Sequence, residues 1–408
     1  MREFTEYPPL SLYVHFPWCV RKCPYCDFNS HNAPQQIPEQ QYLDALIADL
    51  ERHAPDIWGR PVETIFIGGG TPSLLSESGF DYLLSRIRAL VRLEPEAEIT
   101  LEANPGTVDQ ARFQAYRQAG ANRLSIGVQS FDDQQLKTLG RIHGSAEAIG
   151  ACEAAVVAGF DNFNIDLMHG LPAQTLQSAG NDVSTAISLN PTHISYYQLT
   201  LEPNTLFAAK PPVLPDDDAL WQIQQAGRAQ LAESGYQQYE VSAYASAKRQ
   251  CRHNLNYWLF GDYLGIGAGA HSKLTFPAHA TITRIAKQKH PATYMQTAQG
   301  EERIQQRHDV DRSNAYLEFL MNALRLNDGF TRTEFQQRVG EPISAIAEEL
   351  RHAEQLALVQ RDSDIIRPTE KGLQYLNTLL EIFLHIEAAP ELKAGSVIPI
   401  VPAGPDHP

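Results

Sequence analysis

Short apolar runs alternate with longer amphipathic ones through the first half of the chain. Residues 10–16, 64–67, 98–103, 123–128, 162–168 and 193–199 are rich in aliphatic and β-branched side chains and short enough to be strands. Between them, residues 39–53, 76–91, 109–119, 146–158 and 173–189 carry apolar positions at helical spacing. Strand–helix alternation at this interval predicts βαβ units on a parallel sheet. Six units in series fit an α/β fold, a partial (β/α)6 TIM-like barrel. In that architecture ligands bind at the C-terminal ends of the strands.

Beyond about residue 203 the pattern loosens. PPVLPDDDALW is a proline-rich turn followed by an acidic helix start, and YQQYEVSAYA, HNLNYW and GDYLGIGAGAHS read as strands and loops closing one side of the barrel. Residues 285–310 are polar and read as a linker. Residues 312–388 read as three helices, a short hairpin and a helix, a winged-helix-like order. The expected division is therefore a barrel over 1–290, a C-terminal winged-helix-like α+β domain over 305–390, and a proline-rich, disordered tail over 391–408.

Composition narrows the function. The chain has 408 residues, 43 % hydrophobic and 20 % charged, with a formal net charge of −15. Such a balance suits a globular protein with a sizeable core and disfavours nucleic acid or anionic lipid as partners. Residues 301–390 carry 10 Lys and Arg against 16 Asp and Glu, so the winged-helix-like segment is a poor DNA reader. The first residues lack a basic-then-apolar leader, and no apolar run reaches the ~18 residues that span a membrane. With five cysteines, an odd number, these features predict free thiols in a reducing cytoplasm.

Three of those cysteines follow the first strand in YVHFPWCVRKCPYCDFN, as Cys19, Cys23 and Cys26 spaced CxxxCxxC. Soft thiolates select zinc or an iron–sulfur cluster over hard cations. Zinc wants a fourth ligand, which His15 or His31 can supply, and usually paired CxxC knuckles. Three thiolates can instead hold three corners of a cubane and leave one iron free for a small molecule. The second strand runs into GGGTPS, residues 68–73, where glycines allow close backbone approach and exposed amides can meet a ligand. A lone glycine run is weak; opposite a cysteine loop at the same barrel face it is informative.

Together CxxxCxxC, GGGTPS, LEANPG, LSIGVQSF, NIDLMHGLP and HNLNYW resemble the radical-SAM family that unites the oxygen-independent coproporphyrinogen III oxidases with the haem chaperones. The resemblance runs from about residue 10 to 385. It implies a [4Fe-4S] cluster on Cys19, Cys23 and Cys26 with S-adenosylmethionine (SAM) on the free iron. It also implies a SAM site lined by Tyr13, Tyr25, Gly69, Gly70, Thr71, Glu102, Gln129, Arg141 and Asp166. The residue types suit those parts. The glycine loop would meet the methionine amino group, Arg141 offers a planar fork for a carboxylate, and Glu102, Gln129 and Asp166 can bind ribose hydroxyls or balance charge.

Two features separate the branches. The oxidases carry a fourth cysteine where this chain has Phe28, and a longer N-terminal extension than the nine residues before Leu10. HNLNYW resembles the HNxxYW signature of the chaperone branch, which implies haem bound through His253, with aromatics packing on the macrocycle. Cys251 and His271 are alternative iron ligands, and Cys152 reads as a small buried hydrophobe. The resemblance thus implies a haem chaperone, with an oxidative decarboxylase as the alternative. Its expected partners are haem, an acceptor of the apo-cytochrome type (a membrane respiratory cytochrome included) and a second copy of the chain.

Overall fold

The computed structural model describes residues 2–384, so the tail expected over 391–408 lies outside the described residues. Six parallel strands carry the first half: β1 (Leu10–Phe16), β2 (Pro61–Gly69), β3 (Arg92–Ala103), β4 (Arg123–Gln129), β5 (Phe163–His169) and β6 (His193–Gln198). Helices Glu39–His53, Glu77–Leu90, Gln110–Ala119, Ser145–Val157 and Leu176–Ser188 cross over between them. Local chemistry sets their ends. Ser76, Asp109 and Thr175 accept hydrogen bonds from the backbone three residues on, and Gly120 closes its helix with φ of 119°.

Six more strands extend the sheet: β7 (Gln237–Glu240), β8 (Ala243–Ala245), β9 (Asp262–Ile266), β10 (His271–Phe276), β11 (Thr281–Lys287) and β12 (Ile304–Asp309). The order is β12-β11-β10-β9-β1-β2-β3-β4-β5-β6-β8-β7. Strand β9 pairs parallel with β1, which makes a seventh parallel strand; β7, β8 and β10–β12 are antiparallel additions. Two unpaired edges leave the barrel open, as expected of a partial (β/α)6 arrangement.

The linker read over 285–310 is corrected by the fold: those residues hold the end of β11, the Pro291–Thr297 helix and β12. They read as polar because β12 is an exposed edge strand. Their charges are also partly structural. Buried Asp49 accepts from Lys287, from Arg303 Nε at 2.9 Å and from the Tyr294 hydroxyl at 2.8 Å, which ties the Glu39–His53 helix to this segment. HNLNYW is corrected too. Arg252–Trp258 is a helix rather than a loop, capped by a distant side chain: Glu98 on β3 accepts from the Arg252 and His253 amides at 3.2 and 3.1 Å.

Residues 312–384 build a second core around Phe319, Leu320, Phe335 and Leu350, with helix, strand, two helices and the Val359–Asp362/Ile365–Pro368 hairpin in winged-helix order. Barrel residues Phe260 and Ile282 join that core, so the two parts share an apolar contact. Cys152 packs within the main core of the barrel. Among the described residues, no helix is long and apolar enough to cross a membrane.

Candidate cofactor and ligand site

Strand alternation decides what faces the barrel interior. On β4, Leu124, Ile126 and Val128 are buried in the outer core while Arg123, Ser125, Gly127 and Gln129 line a cavity of about 620 Å³. Asn164 and Asp166 on β5, and His193, Ser195 and Tyr197 on β6, continue the same polar face. The cavity opens at the C-terminal ends of the strands, where the cysteine loop covers it. Cys19, Cys23 and Cys26 all line it, as do Tyr13, Tyr25, Gly69, Gly70, Thr71, Glu102, Gln129, Arg141, Asp166 and His253. Every residue singled out for cluster or SAM thus borders one space, and so does His253, whereas the alternative iron ligands Cys251 and His271 do not.

The cysteine loop is held by its backbone and by short side-chain contacts. The His31 amide donates to the Pro17 carbonyl at 2.7 Å and the Ala33 amide to that of Cys19 at 2.8 Å. Cys19 Sγ donates to the His31 carbonyl at 3.6 Å, Cys26 Sγ meets Ser30 Oγ at 3.7 Å, and Arg141 Nη1 donates to Cys23 Sγ at 3.6 Å. Among the described residues, no group of three His, Cys, Asp or Glu could hold one metal ion. A cubane asks for something else, one thiolate per iron at separate corners, and three sulfurs spread along one cavity rim fit that demand better than a single zinc.

The glycine loop serves packing first. A Cβ on Gly70 would stand 2.5 Å from the Trp18 carbonyl oxygen, and one on Gly69, where φ is 120°, would meet His15 and the Phe16 carbonyl at 2.7 Å. Its amides are also spoken for: Gly70 donates to Phe16 O, Thr71 to Trp18 O, and Gly69 to Glu102 Oε2 at 2.9 Å. The exposed amides expected from the sequence are therefore absent, and an incoming ammonium must look to acceptor oxygens here.

Glu102 keeps a face on the cavity but is otherwise enclosed. Burial, aided by the charge of Asp166 and opposed by the Gly69 amide, pushes its carboxyl up to about 8. Asp166 is raised by burial as well, though Asn164 Nδ2 donates to it at 2.7 Å. Arg141 Nη2 donates to the Gly127 carbonyl at 2.6 Å, which fixes the fork at the rim. Gln129 accepts from the Tyr197 hydroxyl at 2.6 Å and has φ of 74°, a strained left-handed conformation at a strand end.

The haem candidates differ sharply in access. His253 is 1 % exposed, with Nδ1 2.7 Å from Thr64 Oγ1, Nε2 3.3 Å from the Tyr257 hydroxyl, and its ring 5.1 Å from that of Phe66. Burial, then the nearby Arg123 charge, lowers its pKa to about 3, so the imidazole is neutral. Cys251 is fully buried beneath it, and its thiol faces Glu98 at 3.6 Å. His271, by contrast, is exposed in an adjoining cavity.

Residues 13–184 match the family model of the radical SAM superfamily, and 310–375 match that of the HemN C-terminal domain. A Haemophilus influenzae protein named "Heme chaperone HemW" is 52 % identical, the match covering 93 % of this chain and 99 % of that one. The Escherichia coli protein of the same name is also 52 % identical over the same shares. The chain belongs to the HemW family of radical-SAM proteins. A Bacillus subtilis HemW is 31 % identical over 92 % of this chain and 99 % of its own. The solved structure of Escherichia coli coproporphyrinogen III oxidase, HemN, superposes with a TM-score of 0.78 at 27 % identity, covering 92 % of this chain and 90 % of that one. The chain thus shares its fold with HemN.

The sequence reading missed the polar floor made by Arg123, Ser125, Asn164, His193 and Ser195. Its signal was present as every second residue in three otherwise apolar strands. It also missed Lys22, Tyr257 and Lys289, which border the adjoining cavity.

Proposed function

We propose that this chain is a haem chaperone, binding haem and transferring it to an acceptor protein of the apo-cytochrome type. What carries the reading is kinship along essentially the whole length of proteins bearing that name, joined to Phe28 at the position of the oxidases' fourth cysteine. A membrane respiratory cytochrome as acceptor, a cytoplasmic location and a homodimer belong to the same proposal. Cys19, Cys23 and Cys26 would hold the [4Fe-4S] cluster, whose free iron supplies a chelation point for SAM. Glu102, already beside the glycine loop, would take the SAM ammonium, Arg141 its carboxylate, and Gln129 and Asp166 the ribose. Tyr13, Tyr25, Gly69, Gly70 and Thr71 would complete the wall.

The HemN-like fold, with its polar cavity intact, favours one rival, an oxygen-independent coproporphyrinogen III oxidase. Anaerobic reconstitution followed by haem titration and a parallel assay of porphyrinogen decarboxylation separates the two. Stoichiometric haem uptake with untouched porphyrinogen is expected; turnover without haem binding reverses the assignment.

The Glu102 carboxyl gives this reading a pH signature. With its pKa near 8, the group holds a proton at pH 7, and pairing with an ammonium favours the ionised form. SAM binding then releases a proton, so affinity rises by up to about tenfold per unit between roughly pH 6 and 8 and levels off above. Calorimetry in buffers of different ionisation heat measures that proton. Glu102→Gln should weaken binding and flatten the profile, and a sloping profile in that variant would assign the proton elsewhere.

A further inference from the structure

Beside the main cavity lies a second, of about 660 Å³, and the two share eight lining residues, Cys26, Phe28, Glu102 and Tyr257 among them. We propose that this outer cavity is the porphyrin site and that His271, rather than His253, is the protein ligand to the haem iron. The inference rests on the haem-chaperone reading and adds the location and the ligand.

Access argues first. Five imidazoles border the two cavities, and an axial ligand must turn a free nitrogen lone pair outward. His15 spends Nδ1 on the Tyr13 hydroxyl and Nε2 on the Asn29 carbonyl, both at 2.9 Å. His193 is held between Asn164 and Tyr239 at 2.7 and 2.9 Å. His253 is held between Thr64 and Tyr257, and Nε2 of His31 is closed off from water. His271 alone combines an exposed ring with no hydrogen-bond partner among the described residues. It opens β10, so a strand holds it in place.

The surroundings suit a flat macrocycle with two carboxylates at one edge. Phe28, 61 % exposed, borders both cavities together with Tyr257, so two aromatic rings are available to a macrocycle. Two lysines supply positive charge in a chain of net −15. Lys22 Nζ donates to the carbonyls of Phe28 and Ser30 at 3.0 and 3.2 Å, which fixes it and leaves its third donor free. Lys289 is exposed, and its carbonyl accepts from Asn29 Nδ2 at 2.9 Å. The volume falls in the range of small-molecule sites. His253 becomes a positioning residue, which seats Tyr257 in the wall between the cavities.

Ferric haem is titrated into the reconstituted protein and read by difference absorption and low-temperature EPR. His271→Ala, at an exposed position, should lose the imidazole-ligated signature and at least about tenfold in affinity, with added imidazole restoring the signature. His271→Cys should shift it to the thiolate type. His253→Ala should keep the wild-type signature, as should the Lys22→Ala/Lys289→Ala pair, the latter with affinity reduced by about tenfold. A wild-type signature in H271A, or its loss in H253A alone, overturns the assignment. Failure of the wild-type protein to take up haem would instead sink the chaperone reading, and this inference with it.

Discussion

Replacing Cys19, Cys23 and Cys26 together by Ala should bring iron and acid-labile sulfide to background and remove measurable SAM binding. No alternative ligand set stands by. Among the described residues no His, Cys, Asp or Glu trio is placed to hold a single metal ion, and Cys152 and Cys251 are buried away from the rim, their thiols pushed up to about 12 by burial. The fold should survive, because backbone bonds from His31 to Pro17 and from Ala33 to Cys19, not sulfur, hold the loop. Haem binding should stay measurable, since its proposed ligand lies across the outer cavity on β10. Iron and sulfide analysis beside a thermal melt checks all three expectations. Retained iron at wild-type content would refute the three-thiolate account, and haem lost together with the cluster would show that the two cavities act as one site.

The parts of this molecule that sequence exposes are those whose causes are local. Caps such as Asp109 and Thr175 stand within three residues of the amides they satisfy, so the crossover helices are predicted to within three residues at either end. Parallel strands buried on both faces would read as continuous apolar runs, and β4 to β6 nearly do. Their inward polar rows, Arg123-Ser125-Gln129 and Asn164-Asp166 among them, are the departure from that rule, and they mark the cavity. What stayed hidden depends on distant partners. The segment leading into edge strand β12 looks like a linker until Asp49, more than two hundred residues earlier, claims Arg303. The amides of the glycine loop look free until Phe16, Trp18 and Glu102 are seen to take them. Access is the least legible property of all. HNLNYW and GAGAHS each offer a histidine, and only tertiary packing decides that one ring is walled in and the other open.

The Arg252–Trp258 helix is the extreme case, and it leads to the largest stability effect expected here. Seven residues make too short a helix to persist on propensity, and its N-cap residue, Cys251, offers no side-chain bond to the first turn. Glu98 supplies that bond from β3: its carboxylate accepts from the Arg252 and His253 amides and the Cys251 thiol, at the positive end of the helix dipole. The same carboxylate is 6 % exposed and helps balance Arg123, a buried guanidinium on the cavity floor. Glu98→Ala would therefore orphan three donors and leave a buried cation under-compensated, at a cost of about 3–5 kcal/mol. Glu98→Gln, which keeps an acceptor but not the charge, should fall between. Urea denaturation measures both, and haem affinity reports whether Tyr257, carried by this helix, still closes the wall. Should E98A unfold at the wild-type midpoint, the helix must be held by something other than this carboxylate, and the placement of His253 and Tyr257 would need another cause.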